Sequence, residues 1–125
     1  MINESLYQLK NSLVEQGVRY CLPSYVDIHG VSKSKFVPIT HFDRMMNGSE
    51  LCTGAALDGI PQDVSDEEVS SHPDPESVII LPWKKDVAWF ASDLWCEGEP
   101  FEPCSRNIFK AVLAQAADMG YTFNF

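Results

Sequence analysis

Between Met45 and Trp83 the chain carries eight carboxylates (Glu50, Asp58, Asp63, Asp66, Glu67, Glu68, Asp74 and Glu76) and no Lys or Arg. Like charges at that density have no opposite partners within the segment and cannot be buried together, so the span reads as a solvated acidic loop over 47–76. It divides the sequence into two blocks that can fold. Gly48, Gly54, Gly59, Pro61, Pro73 and Pro75 punctuate it, and Asp58-Gly59 and Pro73-Asp74-Pro75 are turn sequences. The window holds -8 of the formal charge of -9, leaving a nearly neutral body around it. An acidic chain of this kind repels the phosphate backbone of a nucleic acid and an anionic membrane surface, so neither is expected as a partner. Of the 125 residues 45% are apolar, enough for the core of a single domain over 1–125.

The longest apolar run, Val78 to Trp83, is six residues, against roughly 20 for a membrane span. Met1 to Lys10 lacks the basic-then-apolar order of a secretory leader. A soluble, cytoplasmic protein is the expectation, and with it free thiols at Cys21, Cys52, Cys96 and Cys104, which show no paired C-x-x-C spacing for zinc. A Cys96–Cys104 disulfide closing the Glu97-Gly98-Glu99-Pro100 turn is the alternative.

Leu6, Leu9, Leu13 and Val14 recur at helical spacing, Ser5 and Gln8 form a capping-box pattern, and Gly17 supplies a stop, which predicts a helix over Leu6 to Gln16. From Val18 the pattern turns to β-branched and aromatic residues, interrupted at Asp27-Ile28-His29-Gly30, and predicts a hairpin of Val18 to Val26 and Val31 to Val37. Pro23 lacks an N–H for the ladder and predicts a kink or a sheet edge. A short helix over Ile39 to Met46, capped by Thr40 and closed by Asn47-Gly48, follows. A strand is expected near Leu51, a continuous buried one over Ser77 to Leu81, and an alternating one over Asp86 to Trp95. Ser105 reads as the N-cap of an amphipathic helix through Ile108, Phe109, Val112, Leu113 and Ala116 to Gly120, and Tyr121 to Phe125 as the start of another strand. Helices set apart from hairpins predict an α+β fold, a small mixed or antiparallel sheet with a helix across one face.

Reactive constellations are scarce. His29, His41 and His72 lie far apart, without the i, i+4 spacing of a helical metal site, and read as surface residues. There is no Gly-x-Ser-x-Gly elbow and no phosphate-cradling glycine loop. Asp58, Asp63, Asp66 and Glu67 lack the alternating ligands around a central Gly that an EF-hand needs. Lys33 and Lys35 share a strand face and read as solvated, with contact to an anionic partner as the alternative. Trp83, Trp89 and Trp95 read as core, because each ring buries roughly 150 to 250 Å²; the alternative is that some of them face a neighbour missing from the chain.

Val26-Asp27-Ile28-His29-Gly30, then Lys35-Phe36-Val37-Pro38, Leu81-Pro82-Trp83, Gly98-Glu99-Pro100-Phe101 and Ser105-Arg106 stand in an order and spacing that resemble the N-terminal domain of glutamine synthetases over roughly Gln16 to Gly120. Among subfamilies the likeness runs most strongly to type III-like enzymes and γ-glutamylmethylamide synthetases, through Leu81-Pro82-Trp83-Lys84-Lys85-Asp86-Val87-Ala88-Trp89. The resemblance implies a β-grasp fold, in agreement with the helix and hairpin order. It implies a parent enzyme that joins glutamate to ammonia or an amine with ATP and a divalent metal, Mg²⁺, through a γ-glutamyl phosphate. The ligands for ATP, metal and glutamate belong to a C-terminal catalytic domain that this chain lacks, so no cofactor site and no ligase turnover are expected of the chain alone.

What the resemblance assigns here is a loop that reaches the active site of the adjacent subunit in a ring-shaped oligomer. Ammonia-using members read Phe-Asp-Gly-Ser-Ser there, and the aspartate binds and deprotonates ammonium. The matching stretch is Cys52-Thr53-Gly54-Ala55-Ala56, so Thr53 occupies the aspartate position and Gly54 follows it. A neutral hydroxyl cannot attract a cation or take its proton as a carboxylate does, which favours an amine or another nitrogen nucleophile. Asp66, in Ser65-Asp66, resembles a second acid of the same region. The implied partner is a catalytic domain of the same or a neighbouring subunit; the alternative is a free-standing β-grasp module that binds a protein partner.

Overall fold

The computed structural model describes residues 3–124. Met1, Ile2 and Phe125 lie outside it, and Tyr121–Asn124 form no strand. Helix α1 (Glu4–Glu15) starts two residues earlier than the capping box proposed, because the Asn3 side chain accepts from the Ser5 N–H and caps it. Its end is a Schellman turn. Gly17 at φ 86° lets its own N–H reach the Val14 carbonyl and that of Val18 reach Leu13. Strand β1 (Tyr20–Val26) runs without interruption through Pro23. The predicted second strand is instead two, β2 (Ser32–Ser34) and β3 (Val37–Pro38), and the break between them lies opposite Pro23. The proline thus sits where the ladder on that side is already open. Asp27 closes the hairpin turn, its Oδ1 accepting from the His29 and Val31 N–H groups at 2.9 Å each.

A 3₁₀ turn over Ile39–His41 leads into helix α2 (Phe42–Met46), which has no side-chain cap, so Thr40 does not serve as one. The acidic segment is not loop throughout. It contributes β4 (Glu50–Cys52) and β5 (Val69–Pro73). The expected strand over Ser77 to Leu81 shrinks to β6 (Ile79–Ile80), because Pro75–Ser77 form a 3₁₀ turn capped by Asp74; Ile79 is exposed rather than buried. Strand β7 (Val87–Cys96), the short β8 (Glu99–Pro100) and helix α3 (Ser105–Asp118) complete the chain. Cys104 is the N-cap of α3; the Ser105 hydroxyl instead donates to the Val26 carbonyl at 2.9 Å.

The strands form one mixed sheet in the order β2-β1-β7-β5-β4, with β3 beside β1, and β6 and β8 beside β7. The central pair β1–β7 is parallel and every other pairing antiparallel. This α+β arrangement is the β-grasp of the sequence reading. Strand alternation and register put Cys21, Pro23 and Tyr25 of β1 on one face with Ala88, Phe90 and Leu94 of β7 and Ser71 of β5. That inner face is the core. At one end α1 and α2 cover it with Leu13, Phe42 and Met45, and the Phe42 and Phe90 rings meet edge-on at 6.1 Å. At the other end Tyr25, Val69, Leu94 and Cys104 pack with Ile60 from the acidic segment. The sheet curls between them, so that Lys35 beyond β2 donates to the Leu51 carbonyl on β4 at the opposite edge. The two lysines expected to be solvated therefore have partners, Lys33 pairing with Asp27 at 3.4 Å.

The opposite, outer face departs most from expectation. Trp89 and Trp95 lie there half-exposed, and Trp83 is 80% exposed beside an apolar groove formed with Ile79, Leu81 and Trp89. Trp95 is stacked on His72 at 4.5 Å. His72 is half-buried rather than a surface residue, and burial pushes its pKa down against the pull of Asp93. Helix α3 reaches this face through ion pairs to Asp93 and buries none of its apolar side chains. All four cysteines are free thiols. Among the described residues no helix is long and apolar enough to cross a membrane.

Candidate functional site

The loop singled out in the sequence begins where β4 ends. Thr53 leaves the strand with extended backbone, and its carbonyl accepts from the Ala56 N–H at 3.0 Å to open a 3₁₀ turn over Gly54–Ala56. The Thr53 side chain is exposed and Gly54 is buried. Glycine leaves room there for the Gln62 side chain. A Cβ on Gly54 would stand 1.7 Å from Gln62 Oε1, so any side chain would push the glutamine aside. Gln62 is anchored by donating to the Glu67 carbonyl at 3.1 Å and to Cys96 Sγ at 3.7 Å. The turn is thus backed by a side chain from the middle of its own acidic segment, and Thr53 is presented outward on a braced support.

Cys52, one residue earlier, is half-buried. Burial pushes its thiol pKa up, the Lys35 charge opposes this, and Glu68 and Glu50 add to the rise. It is a protonated wall of the site at neutral pH and not a nucleophile. Asp66 lies apart. Its Oδ2 accepts from the Asp63 N–H at 2.8 Å while its own N–H donates to the Asp63 carbonyl, so one carboxylate oxygen closes a reciprocal turn on the exposed part of the segment. Among the described residues no hydrogen bond joins Asp66 to Thr53 or Gly54. The structure therefore brings Thr53 and Gly54 together and leaves Asp66 on a separate turn.

Sequence reasoning did not find Gln62 or Lys35 as supports of this turn. A glutamine in a loop and a lysine just beyond a short strand carry no periodic or motif signal, and both act through contacts distant in the chain. The arrangement as it stands can offer a neutral hydroxyl and backbone groups to a ligand approaching from outside. Among the described residues no three His, Cys, Asp or Glu side chains are grouped to hold a metal ion.

Comparison with known proteins places these features in context. No protein-family profile matches the chain. The glutamine synthetase of Rhizobium meliloti (strain 1021) is 37% identical over 108 residues, which make up 85% of this chain and 24% of that protein. The glutamine synthetase of Staphylococcus epidermidis (strain ATCC 12228) is 30% identical over 112 residues, 86% of this chain and 25% of that protein. Among solved structures, a complex of GmaS, a γ-glutamylmethylamide synthetase, with ADP superposes with a TM-score of 0.83 at 36% identity, covering 89% of this chain and 26% of that one. The chain spans about a quarter of the length of these relatives.

Proposed function

Because this chain is homologous to glutamine synthetases and has the β-grasp fold of their N-terminal domain, we propose that it serves as that domain of an ATP-dependent glutamate–ammonia or glutamate–amine ligase. In this reading it takes part in subunit contacts and lends the Thr53–Gly54 turn to the active site of a neighbouring subunit. The observation that supports it is the turn itself. An exposed Thr53 precedes a buried glycine whose Cβ would displace Gln62, and the sequence resemblance matches Thr53 to the family's ammonium-handling aspartate.

ATP and Mg²⁺ supply the parent reaction with an activated γ-carboxyl group; the described residues group no donors for the metal, and no step is assigned to it in this domain. What the domain contributes is a pocket wall. The Thr53 hydroxyl orients an incoming nitrogen by hydrogen bonding and adds no negative charge, so it does not concentrate ammonium or take its proton. An alkylamine, whose apolar substituent gains from a neutral wall, fits such a pocket better than ammonium does. The similarity to GmaS supports the same preference. Asp66 is the second candidate contact, through the carboxylate oxygen that does not close its turn.

The test is a γ-glutamyl amide assay on the full polypeptide that carries this domain, with ATP, Mg²⁺, glutamate and either methylamine or ammonium. Methylamine is expected to be the better acceptor, and Thr53→Asp to shift the ratio of kcat/KM values toward ammonium by about tenfold, the scale of one charge-assisted hydrogen bond. An unchanged ratio would remove the turn from the acceptor pocket. No turnover with either acceptor would favour the free-standing β-grasp module.

A further inference from the structure

The inner face of the curled sheet forms a partly open cavity of about 140 Å³ beside the core cluster of Tyr25 and Leu94, on residues to which the turn chemistry gives no role. Pro23, Leu57 and Leu94 make its walls apolar, while Lys33 of β2, Lys35 just beyond it and Glu50 of β4 line it from the more exposed side. Ser71 lines it too. Ser71 is 5% exposed, and its Oγ has no hydrogen-bond partner among the described residues. Buried hydroxyls are ordinarily satisfied, so this one points to an occupant with a polar group of its own.

The charges decide the sign of that occupant. Lys33 pairs with Asp27 at 3.4 Å, and Lys35 donates to the Leu51 carbonyl. An ammonium has three donors, so each keeps N–H groups for a further acceptor. Glu50 already accepts from the Ser49 hydroxyl at 3.0 Å. Asp27 balances Lys33 from outside the cavity, but among the lining side chains two ammonium groups with unused donors stand against one partly satisfied carboxylate, and this favours an anion. The size limits it to a handful of non-hydrogen atoms, since sites for drug-sized ligands run from about 300 to 1,000 Å³.

We propose that this cavity binds a small hydroxycarboxylate: its carboxylate is held by Lys33 and Lys35, its short apolar spacer lies among Pro23, Leu57 and Leu94, and its hydroxyl satisfies Ser71 Oγ. The site does not depend on the ligase reading, although Cys52 lines it and immediately precedes Thr53.

The experiment is a titration of the ¹⁵N-labelled full chain with sodium 4-hydroxybutyrate at constant ionic strength, following amide shifts. Saturable shifts are expected at Lys33, Lys35, Cys52 and Ser71. Lys35→Met should weaken binding by about tenfold, the scale of a hydrogen bond to a charged group, while Lys35→Arg retains it. Butyrate should bind several-fold more weakly than the hydroxy acid, a difference that disappears in Ser71→Ala. Butylammonium should give no shifts at these positions. Absence of saturable shifts with 4-hydroxybutyrate, or equal binding of butylammonium, would overturn the proposal and leave a cavity that holds only water.

Discussion

Helices α1 and α3 are both two-faced and similar in length, yet they meet the sheet in opposite ways. In α1 the apolar stripe faces inward, with Leu13 buried and Leu6 and Leu9 packed on the core. In α3 the apolar residues Ile108 and Val112 are exposed, and attachment is polar. The Arg106 guanidinium donates to Asp93 at 2.8 Å and to Asp74 at 2.9 Å, Lys110 donates to Asp93, and Asn107 donates to the Leu94 and Phe101 carbonyls at 2.9 Å each. An apolar stripe shows that a helix can use an apolar partner. It does not show that the partner lies within the same fold, and the polar side of α3 decides where that helix sits.

If α1 and α2 anchor the fold and α3 is an attachment, substitutions should divide accordingly. The largest effect belongs to Phe90, fully buried against Phe42 beneath α1 and α2. Phe90→Ala should lower stability by about 3 to 5 kcal/mol, as removal of a buried ring does elsewhere, with the midpoint of urea unfolding as the measurement. A loss below about 1 kcal/mol would mean that the inner face is not the main core.

The intermediate effect belongs to Asp93. Its burial pushes the carboxyl pKa up, but hydrogen bonds and charges from Lys110 and Arg106 outweigh that and hold it below its ordinary value of 3.8. A carboxyl depressed on folding contributes stability that is present above the ordinary value and lost as pH falls through the depressed one. Attachment of α3 should therefore weaken below about pH 4, with His72, Asp74, Arg106 and Lys110 as the charged neighbours. Asp93→Asn should cost roughly 1.5 to 3 kcal/mol of α3 attachment, toward the lower end because Arg106 is partly solvated. Amide exchange should quicken in α3 while β1 and β7 keep their protection. Equal loss in all three would show that α3 is integral to the fold.

The same division governs what was legible in the sequence. Elements specified locally were readable: Leu6, Leu9 and Leu13 repeat every turn, Gly17 and Gly120 adopt positive φ at the helix ends, and Asp27 to Gly30 make a tight turn. β5 was not, because Glu67 and Glu68 precede it and Pro73 ends it, and its pairing with β4 and β7 comes from distant residues. The tryptophans misled for a related reason. Ring size favours burial, but Trp89 and Trp95 have the parity of the outer face, which the chain itself only partly covers. Of the site, the family motif marked Thr53 and Gly54; the Gln62 brace and the Lys35 bridge depend on how the sheet curls, and no local pattern encodes that.

The smallest effect is also the sharpest discriminator between the two helices. Val112 lies on the exposed stripe of α3 and Leu13 on the buried stripe of α1. Val112→Ser removes apolar surface that water already reaches, so stability should stay within about 0.5 kcal/mol of the parent. Leu13→Ser removes buried surface, leaves a cavity and introduces a hydroxyl, and should cost at least about 2 kcal/mol. Chemical denaturation of both variants in one buffer gives the comparison directly. A Val112→Ser loss approaching that of Leu13→Ser would show the α3 stripe covered in solution, and the contrast between the helices would then reflect an apolar partner supplied by another molecule.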